Sequence, residues 1–201
     1  PASRKRREAR SQARSQPVAT YDYRDAAGVC RFQTVRFAPK TFRQRRPDGR
    51  GGWIWNLEGV ELLPYELPEL LAADPAAWVF VVEGEKDVQR LQEEGLVATC
   101  NPMGAGKWRE SYSECLHGRR CVVLPDHDEP GRRHAAQVAE SLSRHGAAEV
   151  RVAALPDLPK GGDVSDWLAA GHTVPELLAG VAAAPPWTLP DQEAGASAPV
   201  P

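Results

Sequence analysis

The stretch VVLPDHDEPGRRHA, residues 122–135, joins an apolar run to a charged helical segment through two aspartates one residue apart. Asp126 and Asp128 follow a run that is typical of a buried strand, and Pro130 and Gly131 form a turn before the helix. Two neighbouring carboxylates repel each other, and this is unfavourable unless a cation neutralises them. The stretch therefore predicts a strand, a cation-binding turn and a helix.

The same alternation of a strand-like run and a helical pattern occupies the chain from residue 78 onward. Apolar runs occur at 78–84, 96–101, 120–126 and 149–156, and segments with helical periodicity follow them. Gly95 and Gly146 are typical helix stops, because glycine readily takes the left-handed conformation that ends many helices. Four such strands predict an α/β domain with a parallel four-stranded sheet flanked by helices.

Upstream of residue 76 the pattern is that of antiparallel strands. Alternating residues flank a turn at 25–28, which predicts a hairpin, and a Pro-Asp-Gly turn leads to an aromatic strand around Trp53 and Trp55. Pro68 begins a short helix. We predict four segments: a disordered basic tail (1–17), a small β-rich basic subdomain (18–75), the α/β domain (76–184) and a Pro-rich tail (185–201).

Charge is distributed unevenly along the chain, although the net charge is only −2. Residues 1–50 contain 14 Lys and Arg against 4 Asp and Glu, whereas residues 51–201 contain 11 against 23. This asymmetry favours a polyanion bound by the basic residues 1–50, which we call the basic front, and cations bound by the acidic residues 51–201. Charged surfaces of this kind are, however, often merely solvated. No apolar run approaches the roughly 20 residues of a membrane span, so we expect a cytoplasmic protein without a membrane partner.

Carboxylates follow two of the predicted parallel strands, at the ends where such sheets collect their ligands. Glu83 follows the first strand, and Asp126 and Asp128 follow the third. If these strands are neighbours, the three carboxylates converge on one edge, and oxygen ligands favour Mg²⁺ or Mn²⁺. Asp87, one helical turn after Glu83, and Asp163, just past the fourth strand, are further candidate ligands.

Each candidate also has a structural interpretation. Asp126 could cap the following helix, and Asp166, a weaker candidate ligand, is expected to be the N-cap of its own helix. Asp87 could be a solvent-facing helix residue, and Lys86 only a surface lysine. Capping by Asp126 explains neither Asp128 nor the glutamate at the end of another strand, so we favour the metal interpretation.

Two motifs resemble the TOPRIM domain, which bacterial and phage primases, topoisomerases, some nucleases and recombination mediators share. The matching residues are Glu83, Gly84 and Asp87, followed by Asp126, Asp128, Gly131 and Arg132. The resemblance covers about residues 76–184, and KGGDVSDWL (160–168) looks like the later acidic motif of primases. Upstream, YRDAAGVCRFQTVRF (23–37) is similar to the segment that precedes TOPRIM in phage helicase-primases.

The resemblance implies the catalytic core of a phage- or plasmid-type DNA primase, which would join ribonucleoside triphosphates on a single-stranded DNA template. Asp126 and Asp128 would hold the main Mg²⁺ or Mn²⁺, and Glu83 would bind a second metal or assist proton transfer. Asp87 and Asp163 would complete the shell. A replicative helicase is the implied partner. Alternatives are a TOPRIM metal-dependent nuclease and a non-catalytic single-stranded nucleic-acid-binding module of a replication complex.

Two modules of complete primases have no counterpart. The four cysteines lack the CxxC spacing of a zinc module. The loop NPMGAGKW (101–108) has Asn101 where a P-loop needs its first glycine and Trp108 where it needs Ser or Thr, so no helicase motor is expected. Lys107 and Arg132 remain candidate contacts to nucleotide phosphate. The chain begins with Pro, and we expect it to be cut from a longer replication protein.

The basic front combines cations with aromatic residues, as single-strand binding grooves do. The candidate contacts to the template are Arg36, Lys40, Arg43, Arg45, Arg46 and Trp55. The alternative is that Phe37, Trp53 and Trp55 pack a small core while the arginines are solvated. The sequence leaves both interpretations open.

Overall fold

The computed structural model describes residues 17–189, which contain eight strands and six helices. The strands are β1 (Pro17–Arg24), β2 (Cys30–Phe37), β3 (Thr41–Pro47), β4 (Trp53–Ile54), β5 (Trp78–Val81), β6 (Val97–Thr99), β7 (Arg120–Val123) and β8 (Glu149–Val152). The helices are α1 (Leu67–Ala72), α2 (Glu85–Glu93), α3 (Glu110–Glu114), α4 (Glu129–Arg144), α5 (Val164–Ala169) and α6 (Val174–Ala183). The chain divides into two units between Glu61 and Leu62.

The first unit is an antiparallel sheet in the order β1-β2-β3-β4. The predicted hairpin is present, since β1 and β2 pair in antiparallel fashion. In its turn, the Asp25 carboxylate accepts hydrogen bonds from the N–H groups of Ala27 and Val29, both at 3.0 Å. Tyr23 and Phe32 stack with ring centroids 4.3 Å apart and are fully buried. These inward-facing rings form the small core of the unit.

The boundary between the units differs from the one predicted at 75/76. The N–H of Tyr65 donates to the Cys100 carbonyl oxygen at 2.9 Å, and the Thr99 hydroxyl donates to the Tyr65 carbonyl oxygen at 2.7 Å. Arg119 donates to the carbonyl oxygen of Leu70 in α1 at 3.0 Å. Because these bonds attach residues 65–72 to β6 and β7, α1 belongs to the second unit.

The second unit is built on a parallel sheet in the order β6-β5-β7-β8. The two central strands are the most apolar, and Val79, Phe80, Cys121 and Val122 are completely buried between the flanking helices. Strands buried on both faces need such continuous apolar runs. The predicted fold class, a helix-flanked parallel four-stranded sheet after a small β-rich subdomain, is confirmed.

The predicted tails lie mostly outside the described residues, which begin at 17 and end at 189. The first residues of the predicted C-terminal tail contact the sheet: Trp187 donates its N–H to the Val150 carbonyl oxygen at 2.7 Å, and Pro186 bridges Arg151. None of the described helices is both long enough and apolar enough to cross a membrane.

Candidate metal centre and nucleic-acid interface

The central pair of strands brings two of the predicted carboxylates to the same edge. Strands β5 and β7 are adjacent and parallel, with Val81 opposite Val123. Glu83 lies two residues beyond Val81 and Asp126 three beyond Val123, so both follow neighbouring strands at their carboxyl ends. Glu83 and Asp126 line one small cleft. The neighbouring strands that the metal interpretation required are therefore present.

Asp126 is the carboxylate most affected by the others. Its partial burial, together with the negative charges of Glu83, Asp87, Asp163 and Asp128, raises its pKa from 3.8 to about 8. The other four candidate carboxylates therefore all act electrostatically on Asp126. An anionic Asp126 in this position is costly without a cation nearby, as expected of a site that gathers positive charge.

Asp128 has a structural role that the sequence interpretation gave to Asp126. It is the N-cap of α4, and its Oδ1 accepts a hydrogen bond from the Gly131 N–H at 2.7 Å. Gly131 is buried against the preceding turn, and a Cβ at this position would lie 2.6 Å from the Asp126 carbonyl oxygen. Glycine is therefore needed at 131 for close packing, and Asp128 keeps only part of its oxygen surface available for a cation.

Asp163, and not Asp166 as predicted, is the N-cap of the helix that follows. Asp163 is the N-cap of α5, accepting from the Asp166 N–H at 2.9 Å, and the Asp166 carboxylate accepts from the Asp163 N–H at 3.2 Å. This reciprocal pair is a capping box. The prediction that Asp166 is the N-cap is wrong, because Asp166 stands three residues into the motif.

Asp87 is buried instead of facing solvent. It is 6% exposed and accepts a hydrogen bond from the Ser165 hydroxyl of α5. Burial raises its pKa to about 6; the Ser165 bond opposes this rise and the charge of Asp163 adds to it. The alternative that Asp87 is a plain surface residue of α2 is therefore wrong.

Lys86 contacts two of the carboxylates. Its Nζ donates to Asp163 Oδ2 at 3.1 Å and lies 4.0 Å from Asp87 Oδ1. Burial lowers the pKa of Lys86, but the bond to Asp163 and the charges of Asp87 and Asp163 outweigh it, so that the pKa is raised. The interpretation of Lys86 as only a surface lysine is therefore incomplete.

The donor set of this edge fits an oxygen-preferring divalent cation. Its candidate ligands are carboxylate oxygens, as Mg²⁺ and Mn²⁺ prefer. Within residues 17–189, however, no three His, Cys, Asp or Glu side chains form a ready-made metal site. Binding of a cation would therefore require the side chains to turn toward it.

His127, between the two aspartates, was not singled out in the sequence. Its N–H donates to the Gly162 carbonyl oxygen at 2.9 Å, and its own carbonyl oxygen accepts from the Gly161 N–H at 3.0 Å. The imidazole Nδ1 is hydrogen-bonded to the Leu158 carbonyl oxygen. His127 therefore ties the turn of Asp126 to the loop that leads into Asp163.

His134 is a second residue that the sequence interpretation missed. It lines the cleft beside Glu83 and Asp126 and is only 6% exposed. Its Nδ1 accepts a hydrogen bond from the Gly106 N–H at 3.1 Å, and burial lowers its pKa. Its Nε2 is buried without a hydrogen-bond partner among the described residues. The available signal was the spacing from Gly131, which places His134 on the inner face of α4.

Lys107 and Arg132 are the two residues predicted to bind phosphate. Among the described residues, no contact joins one to the other. Lys107 is exposed and follows the loop that His134 binds through Gly106. Arg132 is exposed at the start of α4 and pairs with Glu129 at 3.0 Å. Arg132 must exchange this partner before it can bind a phosphate.

One face of the first unit carries arginines stacked on tryptophans. The Arg43 guanidinium lies 4.3 Å from the ring centroid of Trp55, and the Arg45 guanidinium lies 4.4 Å from that of Trp53. Trp55 is 41% exposed and also contacts Phe37. The fully buried rings of the unit are Tyr23 and Phe32, whereas Phe37 and Trp53 are half-buried. The two arginines stack on the tryptophans instead of standing alone in solvent, and DNA binding on this face stays a prediction. We call Arg43, Arg45, Trp53 and Trp55 the stacked face.

The remaining predicted template contacts do not share this face. Side chains alternate between the two sides of a strand. Arg46 follows Arg45 in β3, and Arg36 pairs with Phe42 in the β2–β3 register, so both arginines point to the side opposite Arg43 and Arg45. Lys40 is exposed in the turn between β2 and β3. The predicted groove is therefore divided between two sides of the sheet.

No protein-family model and no curated protein matches the chain. Solved structures do match it. The E. coli primase catalytic core is 21% identical with a TM-score of 0.61, over 83% of this chain and 52% of that chain. The primase fragment of the bacteriophage T7 primase-helicase protein is 22% identical with a TM-score of 0.53, over 81% of this chain and 61% of that chain.

A third match, the DnaG primase catalytic domain bound to ssDNA, is 19% identical with a TM-score of 0.60, over 83% of this chain and 53% of that chain. The chain thus spans about half the length of the primase catalytic cores that it matches. The chain has the fold of DNA primase catalytic cores, as its motifs predicted.

Proposed function

We propose that the chain is the catalytic part of a DNA primase, a nucleotidyl transferase that joins ribonucleotides on a single-stranded DNA template with Mg²⁺ or Mn²⁺. One observation carries the proposal most strongly. In a fold shared with primase catalytic cores, adjacent strands β5 and β7 bring Glu83 and Asp126 to one cleft, where burial and the surrounding carboxylates raise the pKa of Asp126 to about 8.

Glu83, Asp126 and the outer oxygen of Asp128 are the proposed ligands of the cation. A bound divalent cation would lower the pKa of the attacking 3′-hydroxyl and neutralise charge on the transferred phosphoryl group. The Gly131 N–H already fixes the orientation of the Asp128 carboxylate, so Glu83 and Asp126 are the side chains that would turn toward the cation. Asp87 and Asp163 complete the negative surroundings from α2 and from the start of α5.

The stacked face is the proposed contact to the template. Arg43 and Arg45 supply cations for phosphates, and their guanidinium planes, supported by Trp55 and Trp53, offer flat surfaces on which bases stack. The matched DnaG catalytic domain is bound to ssDNA. Lys107 is the proposed contact to the nucleotide triphosphate, with Arg132 after release from Glu129. The matched T7 protein is a primase-helicase, which makes a replicative helicase the proposed partner.

A single assay separates this function from its two alternatives. The full chain is incubated with single-stranded DNA, Mg²⁺ or Mn²⁺ and labelled ribonucleoside triphosphates. Primase activity predicts labelled RNA that grows with time and disappears when the metal is chelated. Metal-dependent shortening of the DNA without RNA synthesis would instead indicate a nuclease. DNA binding without either product would indicate a non-catalytic binding module.

A further inference from the structure

Glu83, Asp87, Asp126, Asp128 and Asp163 form a cluster that we call the acidic edge. Lys86 lies between two parts of this cluster that are distant in sequence. It lies in the first turn of α2, and its ammonium group reaches Asp163, 77 residues further along the chain, at 3.1 Å. The same nitrogen lies 4.0 Å from the Asp87 carboxylate. Helix α2 and the start of α5 are therefore joined by one cation between two carboxylates.

Both carboxylate oxygens of Asp163 and the Oδ1 of Asp87 already have partners. Asp163 Oδ1 accepts from the Asp166 N–H, and its Oδ2 accepts from Lys86. Asp87 Oδ1 accepts from the Ser165 hydroxyl and faces the Lys86 ammonium. A divalent cation that used Asp87 and Asp163 would have to displace Lys86.

The arrangement differs from an ordinary surface ion pair, which contributes little because both charges remain in water. The Asp87 side chain is only 8% exposed and the Asp163 side chain 20% exposed, whereas that of Lys86 is 48% exposed. Screening by water is weakest where the carboxylates are buried. The single positive charge of the ammonium group therefore reduces the repulsion between two carboxylates that water screens only weakly.

We propose that Lys86 is a built-in cation of the acidic edge. Its ammonium group occupies the Asp87–Asp163 side, so that the protein binds one divalent cation, on the side of Glu83, Asp126 and Asp128. This inference rests on the proposed metal centre. It adds to that proposal the number of cations bound and the residue that sets this number.

The test is the stoichiometry of Mn²⁺ binding, measured by titration calorimetry on the full chain without DNA or nucleotide. The wild type is expected to bind one Mn²⁺. Lys86→Met removes the ammonium group but keeps most of the side-chain stem, and it is expected to bind two. Lys86→Gln, a second neutral variant, is expected to behave in the same way, and Lys86→Arg to bind one.

Lys160→Met is the matched control. Lys160 is an exposed lysine in the loop before Asp163, so the substitution makes the same change of charge nearby without removing the cation between the carboxylates. It is expected to leave the stoichiometry at one. Far-UV circular dichroism of each variant establishes that it is folded before the titration.

Two results would overturn the inference while leaving the metal centre intact: a wild type that binds two Mn²⁺, or folded Lys86→Met and Lys86→Gln variants that both bind one with unchanged affinity. A second site gained by Lys160→Met as well would also overturn it, because the effect would then follow net charge alone. Absence of binding in the wild type and in both neutral variants would overturn the metal centre together with the inference.

Discussion

The Gly131 N–H donates a hydrogen bond to Asp128 Oδ1 at 2.7 Å, so one aspartate of the acidic edge also begins the longest helix of the second unit. Asp128 therefore combines two roles that different substitutions can separate. The cap needs an oxygen acceptor, whereas the cation needs a negative charge.

We expect Asp128→Asn to leave the melting temperature of the metal-free protein unchanged or higher, because the amide oxygen can cap the helix and one repelling charge is gone. Asp128→Ala removes the cap and should lower the free energy of unfolding by about 0.5–2 kcal/mol. Both variants should lose affinity for Mn²⁺. Thermal unfolding without metal measures the first effect, and a loss of several degrees in Asp128→Asn would contradict it.

Gly131→Ala should disturb the acidic turn sterically. The added Cβ would lie 2.6 Å from the Asp126 carbonyl oxygen and 3.0 Å from the Asp126 nitrogen, so backbone must move. We expect a loss of roughly 1–3 kcal/mol in the free energy of unfolding, as for other overpacked positions, together with weaker Mn²⁺ binding.

Gly180→Ala is the control for this substitution. Gly180 lies in α6, and a Cβ there meets nothing within 4 Å. Alanine should therefore stabilise the helix by up to about 1 kcal/mol. Chemical denaturation of both variants compares them, and equal effects at 131 and 180 would contradict the close approach between Gly131 and Asp126.

The stability of the metal-free protein should fall as the pH rises from 3.8, the ordinary pKa of Asp126, toward its folded pKa of about 8, and should level off above it. The folded protein raises the pKa of Asp126 from 3.8 to about 8, so ionisation of this group costs more in the folded state than in the unfolded one. This penalty is complete above the folded pKa and is relieved as the pH falls below it. Asp126→Asn should flatten the dependence.

Mg²⁺ should stabilise the protein more at pH 9 than at pH 7, because protons compete with the cation for Asp126. Thermal unfolding across this range, with and without Mg²⁺, measures both effects. A wild-type melting temperature that rises with pH in the absence of metal, or an Asp126→Asn variant with the same slope as the wild type, would be inconsistent with this role of Asp126.

Arg43 and Trp55 should act as one unit in DNA binding, because the guanidinium lies 4.3 Å from the ring centroid. Arg43→Ala should weaken single-stranded DNA binding and reduce its log–log salt slope by about one unit if one phosphate contact is lost. Trp55→Ala should weaken binding with less change in slope. The double variant should lose less than the sum of the two, by about 0.5 kcal/mol or more.

Arg36→Ala is the control for the stacked face, since Arg36 points to the other side of the sheet. Fluorescence anisotropy at several salt concentrations measures all four variants. Additive losses for Arg43 and Trp55 would mean that the two residues do not act as one unit. A loss in Arg36→Ala equal to that in Arg43→Ala, or no loss in Arg43→Ala and Trp55→Ala, would mean that DNA does not bind specifically on the stacked face.

The sequence was sufficient for the features that depend on local pattern. Apolar runs and glycine stops predict the strands and helices of the second unit, and the carboxylates at strand ends predict where Glu83 and Asp126 meet. The sequence did not determine the order of the strands, because alternating strands and helices do not show which strands are neighbours. The structure places β5 beside β7.

Features that depend on contacts between distant residues could not be predicted. The bond of Lys86 to Asp163 requires α2 to lie beside α5, and the bond of Gly106 to His134 joins a loop to a helix 28 residues away. The division of the basic residues between two faces was accessible in principle, because Arg43 and Arg45 alternate with Arg46 along one strand. The stacking of Arg43 and Arg45 on tryptophan rings could not be predicted from the sequence.

The most direct test of the proposed function is RNA synthesis by the wild type and by two aspartate variants in the same assay, with single-stranded DNA, Mn²⁺ and labelled ribonucleotides. Asp126→Asn removes the negative charge of one proposed ligand, whereas Asp157→Asn is a control at an exposed turn with φ of 60°, a conformation that asparagine tolerates. We expect Asp126→Asn to reduce the rate at least about 100-fold, the order that catalytic electrostatics contributes, while Asp157→Asn retains it. Equal rates in Asp126→Asn and the wild type would contradict the proposed catalytic centre.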